Sequence, residues 1–153
     1  MPNVGVISDT HGLLRPQVIE TLSGSDFIIH AGDIGSIDVI DQLANIAPVT
    51  AIRGNVDKPL LEDAFAEEEV LELDDLHIYI IHNICDLNLD PLSSGFKVVV
   101  SGHSHKPNIE RRDGVLYVNP GSAGPRRFSL PIAIATLEVN EGSANAKIIE
   151  FAA

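Results

Sequence analysis

The chain has 153 residues, 44% of them hydrophobic, enough to bury a core, and 10 basic against 22 acidic side chains give a net charge of −12. That balance argues against a broad nucleic-acid surface or an anionic membrane as a partner, since both need a cationic face. No run of 18 apolar residues is present to form a transmembrane helix, and the single cysteine, Cys85, rules out an intrachain disulfide or a thiolate cluster.

Met1 to Ile7 enters a strand directly, with neither the basic start nor the long apolar run of a signal peptide. With one cysteine, the expectation is a protein of the reducing cytoplasm. Val4 to Ile7 ends in the polar turn Ser8-Asp9-Thr10-His11-Gly12, and Leu14 to Leu22 has helical spacing, with Pro16 tolerable in the first turn. The unit then repeats. Phe27 to His30 is a strand, Ala31-Gly32-Asp33-Ile34-Gly35 a loop, and Ser36 caps a helix expected to bury Ile37, Ile40, Leu43 and Ala44. Val49 to Ile52 is a third strand, ending in Arg53-Gly54-Asn55-Val56-Asp57. Strands alternating with helices predict parallel pairing, with ligands gathered beyond the strands' carboxyl ends.

Lys58 to Glu68 reads as an acidic loop, after which the pattern changes to hairpins. Glu69 to Leu73 and His77 to Ile81 flank Asp74-Asp75, and Ile109 to Arg112 and Val115 to Val118 flank Asp113-Gly114. Ile132 to Val139 and Ala146 to Phe151 surround Asn140-Glu141-Gly142, and Asn83 to Phe96 is a loop without a long helix. So much strand predicts two packed sheets in one domain spanning residues 1–153.

Chemistry-bearing residues fall at the ends of these strands. Val98-Val99-Val100 is a buried strand, and Ser101-Gly102-His103-Ser104-His105 follows it with two imidazoles leaving one side of the backbone. Asp9 and His11, Asp33, Asn55 and His82 occupy the equivalent place on four other strands. Taken singly these are ordinary: Gly-Asp and Gly-Asn are turn dipeptides, and a histidine closing an apolar strand is usually a core residue. Their convergence in the order Asp-x-His, Gly-Asp, Gly-Asn, His, Gly-His-x-His is not ordinary.

That order resembles the calcineurin-like metallophosphoesterases, and most closely their small bacterial and archaeal phosphodiesterase subgroup. Gly54-Asn55-Val56-Asp57 and the late turn Asn119-Pro120-Gly121-Ser122 are similar to subgroup motifs. The resemblance implies an α/β fold, a four-layer sandwich of two mixed β-sheets flanked by helices. It implies two divalent metal ions, with Asp9, His11 and His105 on one, Asn55, His82 and His103 on the other, and Asp33 bridging. Manganese is the first expectation, with iron, nickel, cobalt and zinc as alternatives. It further implies a phosphodiesterase in which a metal-bridging hydroxide attacks phosphorus in line, with Asp33, Asn55 and His103 in catalytic roles. Partners would be a small phosphate-ester or nucleotide-like substrate, with no membrane, and a second copy of the chain. The same fold serves a retromer coat subunit, so an interaction scaffold is the alternative. Four metal charges against two from Asp9 and Asp33 would leave a cationic site in an acidic protein.

Where relatives active on phosphomonoesters carry a histidine after the Gly-Asn asparagine, this chain has Val56, so a leaving-group acid is missing there and diesters or activated esters are expected. Asn83 replaces a common glycine and tolerates a left-handed backbone. Asp57 either orients a ligand from behind or is a turn carboxylate, and Arg126 and Arg127 either reach phosphate or are solvated. His30 reads as structural, His77 as surface, Glu67-Glu68-Glu69 as a solvated face, and Cys85 as a buried small side chain.

Overall fold

The computed structural model describes residues 2–54, 57, 64–126 and 129–152. Asn55, Val56, Arg127 and most of the 58–68 loop lie outside these residues. In chain order the elements are β1 (Asn3–Ile7), α1 (Pro16–Leu22), β2 (Phe27–His30), α2 (Ile37–Ala44), β3 (Val49–Ala51), β4 (Glu68–Leu73), β5 (Leu76–Ile81), β6 (Val98–Val100), β7 (Asn108–Arg112), β8 (Val115–Asn119), β9 (Ile132–Asn140) and β10 (Ser143–Phe151). They form two five-stranded mixed sheets, β10-β9-β1-β2-β3 and β4-β5-β6-β8-β7.

The parallel strands are the ones with unbroken apolar runs, because both of their faces are covered. In the first sheet β1, β2 and β3 pair in parallel, Ile7 opposite His30 and His30 opposite Ala51. In the second, β5, β6 and β8 do the same, Ile80 opposite Val100 and Val100 opposite Val118. Hairpins complete both edges of the second sheet, β4–β5 and β7–β8, and one edge of the first, β9–β10.

The core between the sheets sets Val4, Val6 and Ile29 against Ile78, Ile80, Val98 and Val118. Both helices cover the outer face of the first sheet, where Val18, Leu22, Val39 and Leu43 meet Ile7, Ile28 and Ile134. Segment 83–96 covers the second sheet's outer face, packing Leu87, Leu89 and Phe96 over Tyr79 and Val99 with a single 3-10 turn at Ile84–Asp86.

Two expectations need correction. The α2 helix buries Val39 and Leu43, one turn apart, and leaves Ile37 44% exposed and Ala44 exposed. Ser36 does cap it, accepting from the Asp38 amide at 3.3 Å, but the helix is rotated so that the i, i+4 pair faces the sheet. Cys85 is exposed rather than buried, because it sits on the 3-10 turn outside the apolar layer.

Candidate metal centre

Six of the seven side chains singled out at strand ends converge where parallel strands of the two sheets finish. Asp9 and His11 follow β1, Asp33 follows β2, His82 follows β5, and His103 and His105 follow β6. Asn55 lies outside the described residues. Backbone bonds lock these turns together: the Asp9 amide donates to Gly32, the His11 amide to Asp33 and the Gly102 amide to His82, each at 2.9 Å.

Five of the six have left-handed backbones, Asp9 (φ 55°), His11 (49°), Asp33 (57°), His103 (71°) and His105 (63°). Side chains rarely adopt this region, and its repetition at one place marks strain held by the surrounding packing. It also separates the two imidazoles. His105 joins Asp9 and His11, whereas His103 joins Asp33 and His82, and in each trio the donor atoms lie within 4.8 Å of one another.

The electrostatics of both trios are unbalanced. The Oδ2 atom of Asp9 accepts from Ser8 Oγ at 2.6 Å and from the His103 amide at 3.0 Å. Its Oδ1 is buried and makes no hydrogen bond among the described residues, while His105 Nε2 lies 3.4 Å away. Burial, with Asp33 adding to it, pushes the Asp9 carboxyl up to about 7 against the opposing pull of Ser8, His82 and the His103 amide.

His82 is clearer still. Its Nδ1 lies 2.7 Å from the Ala31 carbonyl and therefore carries hydrogen, so in the neutral ring Nε2 is a lone pair. That lone pair faces Asp33 Oδ2 at 3.2 Å, acceptor against acceptor, and only a proton or a metal ion between them satisfies both. Burial opposes a charge on His82, but the Asp33 hydrogen bond, the Ala31 carbonyl and the two carboxylates outweigh it, so its pKa is raised. The same Asp33 oxygen is 3.8 Å from His11 Nε2 in the other trio. Two donors each ~2.1 Å from one ion stand roughly 3.0–3.4 Å apart at tetrahedral or octahedral angles, so this donor set fits a divalent metal.

Residues other than the candidate ligands hold the cluster. His30 is fully buried; its Nδ1 accepts from the Gly32 amide at 3.1 Å, so its Nε2–H donates to Thr10 Oγ1 at 3.0 Å, and that hydroxyl donates to the Ile34 carbonyl. Burial pushes the His30 pKa down to about 4. Asn119 Nδ2 donates to the Gly102 carbonyl at 3.0 Å and to Ser104 Oγ at 3.1 Å, bracing the His103–His105 turn. Asp57 accepts from the Ile34, Gly35 and Gly54 amides, so it grips the turn carrying Asp33 through backbone amides alone among the described residues. Gly54 is required where it is, since a Cβ there would overlap the Asp33 carboxylate. Arg126 is exposed and donates to the Leu130 carbonyl, and His77 pairs with Glu72 at the surface.

Residues 3–142 match the calcineurin-like phosphoesterase superfamily domain. The chain is 35% identical to a probable metallophosphoesterase of Methanocaldococcus jannaschii, an alignment covering 95% of this chain and 80% of that one. A solved archaeal phosphodiesterase is similar with a TM-score of 0.78 and 28% identity, covering 96% of this chain and 99% of the other. Vacuolar protein sorting 29 of Cryptosporidium parvum shares the fold, with a TM-score of 0.76 and 20% identity, covering 99% and 98%.

Proposed function

The chain belongs to the calcineurin-like phosphoesterase superfamily, a metal-dependent family, and from that premise we propose that it is a dinuclear metal-dependent phosphodiesterase. One observation carries the reading: two trios of donors, buried at Asp9, Asp33, His82 and His105, whose lone pairs and carboxylates face each other across Asp33. Asp9, His11 and His105 would hold one ion and His82 and His103 the other, with Asn55 as a further ligand there and Asp33 shared between the two. Manganese is the first candidate, since the donors are imidazole, carboxylate and amide without thiolate.

When bound, the two ions supply Lewis acidity and lower the pKa of water. The protein's own groups do the rest. Asp33 fixes the spacing of the two sites, and Asp9 is aimed by Ser8 and the His103 amide. His103, exposed at the rim, and Asn55 hydrogen-bond the phosphate oxygens. Because Val56 offers no proton to a departing alkoxide, diesters and activated esters are preferred over alkyl phosphomonoesters.

The test is elemental analysis with hydrolysis of bis(4-nitrophenyl) phosphate by wild type and Asp33→Asn, with manganese. About two ions per wild-type chain and a loss of activity of about 10²-fold or more in the variant are expected. A metal-replete protein inert with every candidate ion would instead support the scaffold alternative, which the likeness to vacuolar protein sorting 29 raises at the level of fold alone.

A further inference from the structure

Alternation along the second sheet separates its two faces. Val100, Leu116 and Val118 belong to the core between the sheets, so Tyr117, Asn119 and the Ser101 that follows β6 fall on the outer face. The β7 strand adds Glu110 and Arg112 to that face, opposite Tyr117 and Val115. Segment 83–96 covers the apolar part, around Tyr79 and Val99. The rest is a pocket of about 430 Å³ between Ile84, the turn after β6 and the β7–β8 hairpin.

The pocket presents donors that have no acceptor inside the protein. Ser101 is only 6% exposed, and its hydroxyl has no hydrogen-bond partner among the described residues. Ser104 Oγ accepts from Asn119 Nδ2 at 3.1 Å and from the Lys106 amide at 3.2 Å, which fills both lone pairs and leaves its O–H to donate. Lys106 and Arg112 form no ion pair among the described residues. The Arg112 guanidinium lies over the Tyr117 ring, 4.5 Å from its centroid, which occupies the guanidinium's face and leaves its N–H edge open. Asn119 is spent on structure, since its Nδ2 also donates to the Gly102 carbonyl and its Oδ1 accepts from the Gly121 amide. Glu110 is the carboxylate among the described lining residues, so two cations face one anion in a chain of net charge −12.

A nearly buried hydroxyl without an internal acceptor is satisfied by what enters beside it, and the two cations select an anion over water. The donors come from three segments: Ser101 at a strand end, Ser104 and Lys106 on the turn, and Arg112 on β7. Phosphate oxygens point in several directions to meet such a set, whereas a carboxylate offers two oxygens in one plane. We infer that Ser101, Ser104, Lys106 and Arg112 bind a phosphate group in this pocket. The pocket adjoins the metal centre, because Ser104 stands between His103 and His105 and Ile84 follows His82 by two residues. The phosphate is either a second phosphate carried by the substrate or free inorganic phosphate. The first source rests on the phosphodiesterase reading, and the site itself does not.

The binding test titrates sodium phosphate into zinc-loaded protein at constant ionic strength and follows the Arg112 Nε–H resonance, on a strand that carries no candidate metal ligand. A saturable shift is expected with phosphate and not with acetate. Lys106→Gln and Ser101→Ala should each raise the phosphate Kd about tenfold, the scale of one charge-assisted hydrogen bond. Ser101→Ala changes no charge and removes no internal hydrogen bond, so weaker binding at an unchanged melting temperature reads the contact itself. No saturable shift, an equal response to acetate, or full affinity in both variants overturns the site.

The source is read on manganese-loaded protein from 4-nitrophenyl 3-phosphooxypropyl phosphate against 4-nitrophenyl 3-hydroxypropyl phosphate. A preference of about tenfold in kcat/KM for the phosphorylated ester, lost in Lys106→Gln combined with Arg112→Gln, identifies the substrate's second phosphate as the ligand. Equal hydrolysis of the two esters with the Arg112 shift present assigns the pocket to free phosphate. The shift with neither ester hydrolysed supports the pocket and overturns the phosphodiesterase reading. Hydrolysis without preference and without the shift overturns the pocket and leaves that reading intact.

Discussion

Ser8 and the His103 amide divide the two oxygens of Asp9 between structure and chemistry. One oxygen takes both hydrogen bonds, so the other is left buried and aimed at His105. His30 is the converse case, a histidine whose ring nitrogens are both spent on structure. The Gly32 amide fixes its tautomer, and burial holds it neutral down to about pH 4, against an ordinary 6.5. Above pH 6.5 it is neutral both folded and unfolded, and its contribution is complete. Between 6.5 and 4 the unfolded chain takes up a proton that the native state refuses, so its term lowers stability by about 1.4 kcal/mol per pH unit. In metal-free protein Asp9 runs the other way: its carboxyl, raised from 3.8 to about 7, binds a proton in the native state first, so its term favours folding as pH falls. His30→Gln removes only the first term. Urea midpoints of the two chelator-treated proteins should therefore diverge in slope between pH 6.5 and 4.5, the variant losing less on acidification, and parallel curves would show that His30 is not held neutral.

At the level of elements, each parallel strand delivers its ligands through a turn, and Asp57 ties two of those turns together. Its Oδ2 accepts from Ile34 at 3.0 Å and Gly54 at 2.8 Å, and its Oδ1 from Gly35 at 2.9 Å. Asn keeps one acceptor and turns an amide N–H₂ toward a backbone donor. Asp57→Asn should cost about 1–3 kcal/mol, the price of a buried unsatisfied donor, and weaken the metal held with Asp33 by about 10–100-fold. Equilibrium denaturation and metal titration check the two numbers separately, and a loss of stability with both metal affinities intact would sink the positioning role. Asp57 was legible as a carboxylate but not as a clamp, because two of its three partners, the Ile34 and Gly35 amides, lie 23 and 22 residues away in the chain. The ligand turns were legible because Asp-x-His, Gly-Asp and His-x-His each close an apolar run. On α2 the expected Leu43 is buried and Ile40 packs against the same cluster, whereas Ile37 and Ala44 satisfy helical spacing as well as Val39 does, and only packing against Ile7 and Ile28 decides the rotation. Left-handed backbones at five ligands could not be read from residue type, since aspartate and histidine tolerate that region without requiring it, and Asp74, Asp75 and Asp113 adopt it in ordinary hairpin turns as well.

Across the whole molecule a net charge of −12 sits beside a centre that gathers more negative charge and lone pairs than its own hydrogen bonds can satisfy. Both sheets converge there, β1 and β2 from one and β5 and β6 from the other, so the packing of the two sheets and the occupancy of the centre are linked. Cations bound between the trios would stabilise the folded chain by mass action, because the unfolded chain does not hold the ligands together. At a free metal concentration of about 100 times Kd each site adds about 2.7 kcal/mol, which for a chain of this size is a rise in Tm of roughly 5–10 °C. General screening of the acidic surface would also raise Tm, so sodium chloride at equal ionic strength is the control, and it should give the smaller shift. His82→Ala removes one donor from the Asp33 trio and leaves the acidic surface side chains in place. Its melting temperature should respond to sodium chloride as the wild type does and to manganese by about half as much. Equal responses to manganese in the two proteins would mean that the ion stabilises through surface charge, and that the two sheets are not joined through this centre.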